Sequence, residues 1–366
     1  MAYVLDAAEI ERRFPETRGA LKDLATSNDE AVRRHSREAD EDGWLYDFVR
    51  PYLLDTLKII GDKSVRGATQ KTQVITHPLN SHARNRLVHS FDVCNVGVPC
   101  AAWLALNEEL CLAQELAHDL GHGPGGHGFE DFILAHAGIP FRHDIFGVVR
   151  LQHIARKGHG LGLTKQTLYG VQRHSRGRGD LTTEQMRPEE CCTMYGDKIG
   201  YVFGDYNDLF ARRALKAQGI VPEAFPEVVK ATEWFGDCQR DRVRKCIEAL
   251  CVESADKGYV SFAESETAVK FLALKKLMYT VYETIDRERL NLVFKRVYHQ
   301  IEKHIKDVDP WVVFALMNDD EMEWINDKIR FHEVITEQTF LALSLGDIIP
   351  HIRGKKIDVT DPDLDW

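Results

Sequence analysis

The stretch LAHDLGHGPGGHGFE, residues 116–130, carries more chemistry than any other part of the chain. It places His118, Asp119, His122 and His127 within ten residues, with Glu130 three residues later. Upstream, Leu110, Ala113, Leu116 and Ala117 recur at helical spacing, so the pattern predicts a helix over 108–118. The segment GHGPGGHG at 121–128 must end it, because glycine and proline at that density cannot continue a helix. A short helix is expected over 129–136, closed by Gly138 and Pro140. A His-Asp pair at the end of a buried helix offers an imidazole nitrogen and a carboxylate oxygen to one cation. The dipeptide alone is weak evidence: a second stands at His143 and Asp144, and an isolated histidine of this kind is ordinarily just a satisfied core residue.

Helical periodicity continues outward in both directions. It is read at 45–60, with Leu45, Phe48, Tyr52, Leu53 and Leu57 sharing a face, and again from Arg86 onward. Further stretches lie at 145–154, 164–172, 188–215, 241–252, 268–285, 290–305, 311–325 and 333–345. The only strand-like alternation worth naming is 71–76. The fold class expected is therefore mostly α: a compact, all-helical bundle.

Composition bounds the function. The chain has 366 residues with 44% hydrophobic and 28% charged content, which excludes a disordered chain. The longest apolar run, 96–106, is broken by Gly97 and Pro99, and no membrane span is expected. The first residues lack the layout of a secretory leader, so a cytoplasmic protein is expected. A net charge of −10 argues against a broad nucleic-acid surface but leaves room for a small anionic substrate. The eight cysteines show no CxxC pair and read as reduced, mostly buried thiols.

Two features strengthen the metal reading. RLVH at 86–89 opens an apolar helix and adds His89 as a third possible ligand. Downstream, Asp197, Tyr201, Asp205 and Asp208 are spaced 4, 4 and 3 apart and share one helix face, with Gly200 and Gly204 beside it. A plain solvated face would more usually carry lysine and glutamate.

The order His89, His118-Asp119, Asp197 matches the four-ligand arrangement of the HD phosphohydrolase superfamily. KTQVI (71–75), RNRLVHSFDV (84–93), LAHDLGHGPGGHGFE and GDKIGYVFGDYNDL (196–209) closely resemble its deoxynucleoside triphosphate triphosphohydrolases, the bacterial dGTPases and a vertebrate relative with a sterile-alpha-motif domain. The resemblance spans roughly residues 66–215; beyond about residue 230 only LKKLMYTVYE (274–283) echoes it.

The resemblance implies an HD-domain core at 66–215, an N-terminal helical segment at 1–65 and additional C-terminal helices at 216–366 packed on the core. It implies that His89, His118, Asp119 and Asp197 bind a divalent metal ion (Mn, Fe, Mg, Zn, Co or Ni). The substrate implied is a deoxynucleoside triphosphate, cleaved at the α-phosphorus to deoxynucleoside and triphosphate. Arg86 would hold the α-phosphate and Lys198 the outer phosphates, while Tyr201, Asp205 and Gln73 would hold the sugar. His122, His127 and His143 compete for proton transfer, and Glu130 orients one of them or a water. A homo-oligomer is expected by the same likeness. Alternatives within reach are an HD-type phosphatase on nucleoside monophosphates and a nucleotide-binding regulator without turnover. Two departures stand out: Gly125 where the family usually has phenylalanine, which predicts a more open wall, and Gly204 where a histidine is common.

Overall fold

The computed structural model describes residues 5–33, 48–76, 78, 80–175, 181, 183 and 185–358; Leu45 and His77 lie outside them. Among the described residues all regular structure is helical, and extended backbone meets only at two isolated bridges, Arg33 with Thr164 and Thr72 with Asn85. The helices around the site are α1 (Arg86–Leu104), α2 (Glu108–Ala117), α3 (His127–Ala137), α4 (His143–Val149), α5 (Lys165–Arg173), α6 (Pro188–Tyr206), α7 (Glu266–Tyr282) and α8 (Glu288–His304).

Local chemistry sets their starts. Asn85, Asn107, Thr164 and Ser265 cap α1, α2, α5 and α7 by accepting from the third backbone N–H of each helix, and Pro188 opens α6. α3 begins where Gly126 turns the chain at φ +62°. α1 lies along α6 and α2 in the most extensive helix contacts of the molecule. Gly97 of α1 permits the closeness to α2, since a Cβ there would fall on the Glu115 carboxylate.

Several expectations need correction. The 71–76 segment is not a strand, because its polar groups are claimed from elsewhere: the Thr72 N–H donates to Asp319 (2.9 Å), and Arg86 donates to the carbonyls of Lys71 (3.0 Å) and Thr72 (2.9 Å). The 45–60 helix runs Pro51–Gly61 and buries Tyr52, Leu54, Asp55, Thr56 and Ile59, leaving Phe48 and Leu57 exposed. The cause is Asp55, which accepts from Arg33, from the Thr164 N–H and Oγ1, and from Thr167 Oγ1. A polar anchor, invisible to apolar periodicity, chose the face.

The 145–154 and 188–215 helices each pass into a π-helical turn, at Arg150–Ile154 and Asn207–Ala211. In the second, Asp208 is held by Arg84 (2.9 Å) and Arg212 (2.5 Å). The 311–325 stretch is two helices, Pro310–Leu316 and Asp319–Arg330, divided where Asn318 caps the second. Of 333–345 only Glu337–Leu341 is α-helical. Finally, α1 is long and apolar enough to cross a membrane by length and composition alone. It contains Gly97 and Pro99 without breaking, and it buries Arg86 and His89 against its neighbours, as a core helix does.

Three apolar clusters hold these helices. One joins α1 and α6 to Gln239–Lys257 and α7, with Ile10 and Leu21 added from the N-terminal region. A second packs Phe129 and Phe132 of α3 against Phe294 of α8 and Phe314. A third binds α2, α4 and α5 to Ile59 and Ala68. All eight cysteines are free and six of them are buried.

Candidate metal and phosphate site

His89 sits one turn into α1, His118 and Asp119 follow the end of α2, and Asp197 lies mid-way along α6. The contact between α1, α2 and α6 brings them together from 108 residues apart. His89 Nε2 lies 3.1 Å from Asp197 Oδ1, 3.4 Å from His118 Nε2 and 3.6 Å from Asp119 Oδ2. His118 Nε2 lies 3.5 Å from Asp119 Oδ2 and 3.8 Å from Asp197 Oδ1. Ligands about 2.1 Å from a tetrahedral cation stand about 3.4 Å apart, so the spacing of His89, His118 and Asp119 suits one ion, with Asp197 within 3.8 Å of both imidazoles. The His118 Nδ1–H donates to the Glu115 carbonyl (2.7 Å), which leaves Nε2 bare and aimed inward. Two imidazoles and two carboxylates suit zinc or a first-row transition metal.

The electrostatics agree. Burial alone would raise the Asp119 carboxyl, but His118, Arg86 and His122 outweigh it and hold the group well below the usual range. Asp197 behaves the same way: burial is offset by Lys198, His89 and His118. Burial lowers His118, keeping it neutral and able to ligate.

The two carboxylates of this cluster, Asp119 and Asp197, line a cavity of about 800 Å³, while His89 and His118 are buried. Arg86, 2% exposed, donates to Asp119 Oδ2 (2.5 Å) and to the Thr72 carbonyl, and the Gly126 turn lies against its guanidinium. Lys198 is buried too, with Nζ 2.7 Å from Asp197 Oδ2. Neither is a surface residue. His122 is lowered well below its ordinary value by burial and by Arg86 and His143. Its Nδ1 is buried without a partner, as is Gln73 Oε1. Both residues line the cavity, and orphaned polar atoms there call for a ligand.

His127, its side chain 60% exposed, and His143, nearly buried, share one carboxylate. Glu130 takes His127 Nδ1 on Oε2 (3.1 Å) and His143 Nδ1 on Oε1 (2.6 Å). Burial pushes Glu130 up, but the two histidines win and hold it well below the usual range. Asp197 and Asp205 are buried and Tyr201 is half-buried, and all three residues line the cavity.

Other participants were not legible as such. Arg84 donates to Asp205, to Asp208 (2.9 Å) and to Asp92 (3.0 Å). Tyr282 Oη, within the faint 274–283 echo, donates to Asp205 Oδ2 (2.6 Å). Gly204 is explained by Arg84: any Cβ would fall 2.0 Å from its guanidinium, in the place where a histidine was expected. Gly125, at φ +70°, meets Phe294 and Leu290 of α8, so the wall expected to be open is closed by a later helix. His174 has Nε2 3.2 Å from His143 Nε2. The polar-loop residue His82 is exposed.

The chain is 30% identical to the deoxyguanosinetriphosphate triphosphohydrolase-like protein of Clostridium tetani, over 81% of this chain and 80% of that protein. It belongs to the deoxyguanosinetriphosphate triphosphohydrolase-like family. Relatives of the same name from Caldanaerobacter subterraneus and Clostridium perfringens are also 30% identical, over 75% and 76% of the chain and 76% and 80% of their own lengths. No protein-family model matches the chain. Membership of this family makes the protein a hydrolase at the family level, and the buried His/Asp group is its candidate metal centre.

Proposed function

We propose that the protein hydrolyses deoxynucleoside triphosphates, dGTP or a broader set, at the α-phosphorus to deoxynucleoside and inorganic triphosphate. The observation that carries this reading is the convergence of His89, His118, Asp119 and Asp197 beside a cavity lined by the two carboxylates and by buried Arg86 and Lys198. When bound, a divalent cation at those four residues supplies Lewis acidity, making water more acidic and polarising a phosphoryl oxygen. The chain's own residues do the rest. Arg86, now paired with Asp119, turns its planar fork of donors to the α-phosphate. Lys198 neutralises the outer phosphates, and His122, with Nε2 3.3 Å from Asp119 Oδ1, lines the α-phosphate side of the cavity.

The leaving 5′-oxygen needs a proton. His127 is the donor best placed for it, being open to the cavity and held from behind by ionised Glu130. His143 has Nδ1 committed to Glu130 and faces inward. Tyr201, Asp205 and Gln73 bind the sugar, with Arg84 and Tyr282 fixing the Asp205 carboxylate. In this reading residues 66–215 form the catalytic core, and α7 and α8 from the C-terminal region close one side of the cavity. Exposed Trp324, Phe331 and Val334 support association between copies of the chain.

The test is to incubate the manganese-loaded protein with each dNTP and one ribonucleotide, and to resolve the phosphate products. Inorganic triphosphate from a dNTP, abolished by Asp119→Ala, is expected. Pyrophosphate as product, or phosphate released only from monophosphates, would overturn the reading.

A further inference from the structure

We propose that Asp319 is a positioning residue: from a break between two C-terminal helices its carboxylate ties the backbone that seats Arg86 to the glycine turn before His127. This deepens the reading above, on which it rests for the reaction whose rate the link sets. The break lies in WVVFALMNDDEMEW, residues 311–324. The helix Pro310–Leu316 stops, Asn318 caps the next, and Asp319 takes its first position. A helix end leaves carbonyls unpaired and partly negative, while a helix start favours a carboxylate.

Both ends are turned on one neighbour, residues 70–72. Lys71 Nζ donates to the Ala315 carbonyl (3.3 Å) and to the His122 carbonyl. The Asp319 N–H donates to the Gln70 carbonyl (3.0 Å), and Asn318 Nδ2 to Gln70 Oε1 (2.9 Å). Asp319 Oδ2 then accepts from the Thr72 N–H (2.9 Å) and from the Thr72 hydroxyl. Its other oxygen, Oδ1, accepts from the Gly125 N–H (2.8 Å). Lys71, Thr72 and Asp319 are all buried, so water does not compete for these bonds.

The two oxygens thereby grip two walls of the cavity. On one side the Thr72 carbonyl accepts from Arg86 Nε (2.9 Å) and the Lys71 carbonyl from the Arg86 backbone N–H (3.0 Å). On the other, Gly125 and Gly126, at φ +70° and +62°, make the turn from which His127 starts α3. The turn has little slack: a Cβ on Gly126 would lie 2.7 Å from Arg86 Nη2, and one on Gly125 2.8 Å from Phe294. In the proposed reaction Arg86 holds the α-phosphate and His127 serves the leaving oxygen, so the Thr72–Asp319–Gly125 link fixes one against the other. A misplacement of about 1 Å between such groups costs on the order of 100-fold in rate.

A plain helix anchor would behave differently, and Glu321 separates the two roles. It accepts from the Asn318 N–H (3.0 Å) and the Ser344 N–H (2.8 Å), so Glu321→Gln weakens the same helix start without touching either wall.

The experiment uses the full, manganese-loaded chain. It reads kcat and KM for dGTP, bound Mn²⁺ by dialysis, and hydrogen–deuterium exchange in peptides covering 71–73 and 123–127, with circular dichroism to confirm folding. Asp319→Asn offers one acceptor oxygen where two are used; it should lower kcat about 100-fold, with KM within about threefold and bound Mn²⁺ unchanged. Both peptides should exchange faster. Thr72→Val, which loses only the hydroxyl bond, should lower kcat less and add nothing to Asp319→Asn, and it carries the test if Asp319→Asn fails to fold. A folded Asp319→Asn or Thr72→Val with the parent's kcat, or an equal loss in Glu321→Gln, would overturn the proposal and leave Asp319 a helix anchor. No turnover by the parent would overturn the reading above instead. Exchange then decides this proposal: faster exchange in both peptides upholds the link, and faster exchange in one or neither overturns it.

Discussion

Replacing Gly204 by alanine tests how the sugar end of the cavity is built. The new Cβ would lie 2.0 Å from Arg84 Nη1 and 2.1 Å from its Cζ. Restoring an ordinary contact of about 3.5 Å requires the guanidinium to retreat by about 1.5 Å. Its 2.9 Å bond to Asp208 and 3.0 Å bond to Asp92 would then exceed hydrogen-bonding range, and its contact with Asp205 would go as well. Breaking a buried ion-pair network costs about 3–5 kcal/mol, while glycine to alanine inside a helix returns about 0.5–1 kcal/mol. A net loss of about 2–4 kcal/mol follows. With an m-value of about 3 kcal/mol/M, the urea midpoint falls by roughly 1 M. Gly200→Ala is the control, because its Cβ meets nothing closer than 3.4 Å and its midpoint should hold or rise. Should Gly204→Ala match Gly200→Ala within about 0.5 kcal/mol, Arg84 does not anchor this wall.

Asp205 is pushed up from 3.8 to about 6, by burial first, against the pull of Arg84 and Tyr282. A raised carboxyl contributes stability that is complete below pH 3.8 and fades as pH rises through about 6. Relative to the parent, Asp205→Asn should therefore gain up to about 3 kcal/mol between pH 4 and pH 7 by urea titration; a flat difference contradicts the assignment. Mn²⁺ at a hundred times its dissociation constant should stabilise the protein by about 2.7 kcal/mol, seen as a raised melting temperature that a chelator reverses. That shift should shrink in His118→Ala; an undiminished shift would place the ion elsewhere. Asp55→Ala should cost about 3–5 kcal/mol without changing metal stoichiometry, since it strands Arg33, Thr164 and Thr167, none of which is a cation ligand. A cost under about 1 kcal/mol would show that the Asp55 network does not hold that helix.

The helical class was legible because apolar spacing in α2, α6 and α8 reports directly on buried faces. The four metal-binding candidates stood out because their order and spacing are shared with a family, and the fold sets each of the two carboxylates within 3.8 Å of both imidazoles. What escaped reading was chosen by partners distant in sequence. Asp55 set a helix face through Thr164, 109 residues away, and Asp319 took the backbone of 71–76 from 247 residues away. Tyr282 and Arg84 reach Asp205 from opposite ends of the chain, and neither carries a local signal of that role. His174, in VQRHS, matches a histidine-rich region of the family without a role that the sequence assigns; the meeting of α4 and α5 sets its Nε2 against that of His143.

The central claim is that His89, His118, Asp119 and Asp197 share one ion. Anomalous diffraction at the manganese edge from a crystal grown with Mn²⁺ tests it most directly. The account predicts a peak within about 2.3 Å of His89 Nε2, His118 Nε2, Asp119 Oδ2 and Asp197 Oδ1. A peak bound to other residues, or none beside these four at saturating Mn²⁺, would contradict it.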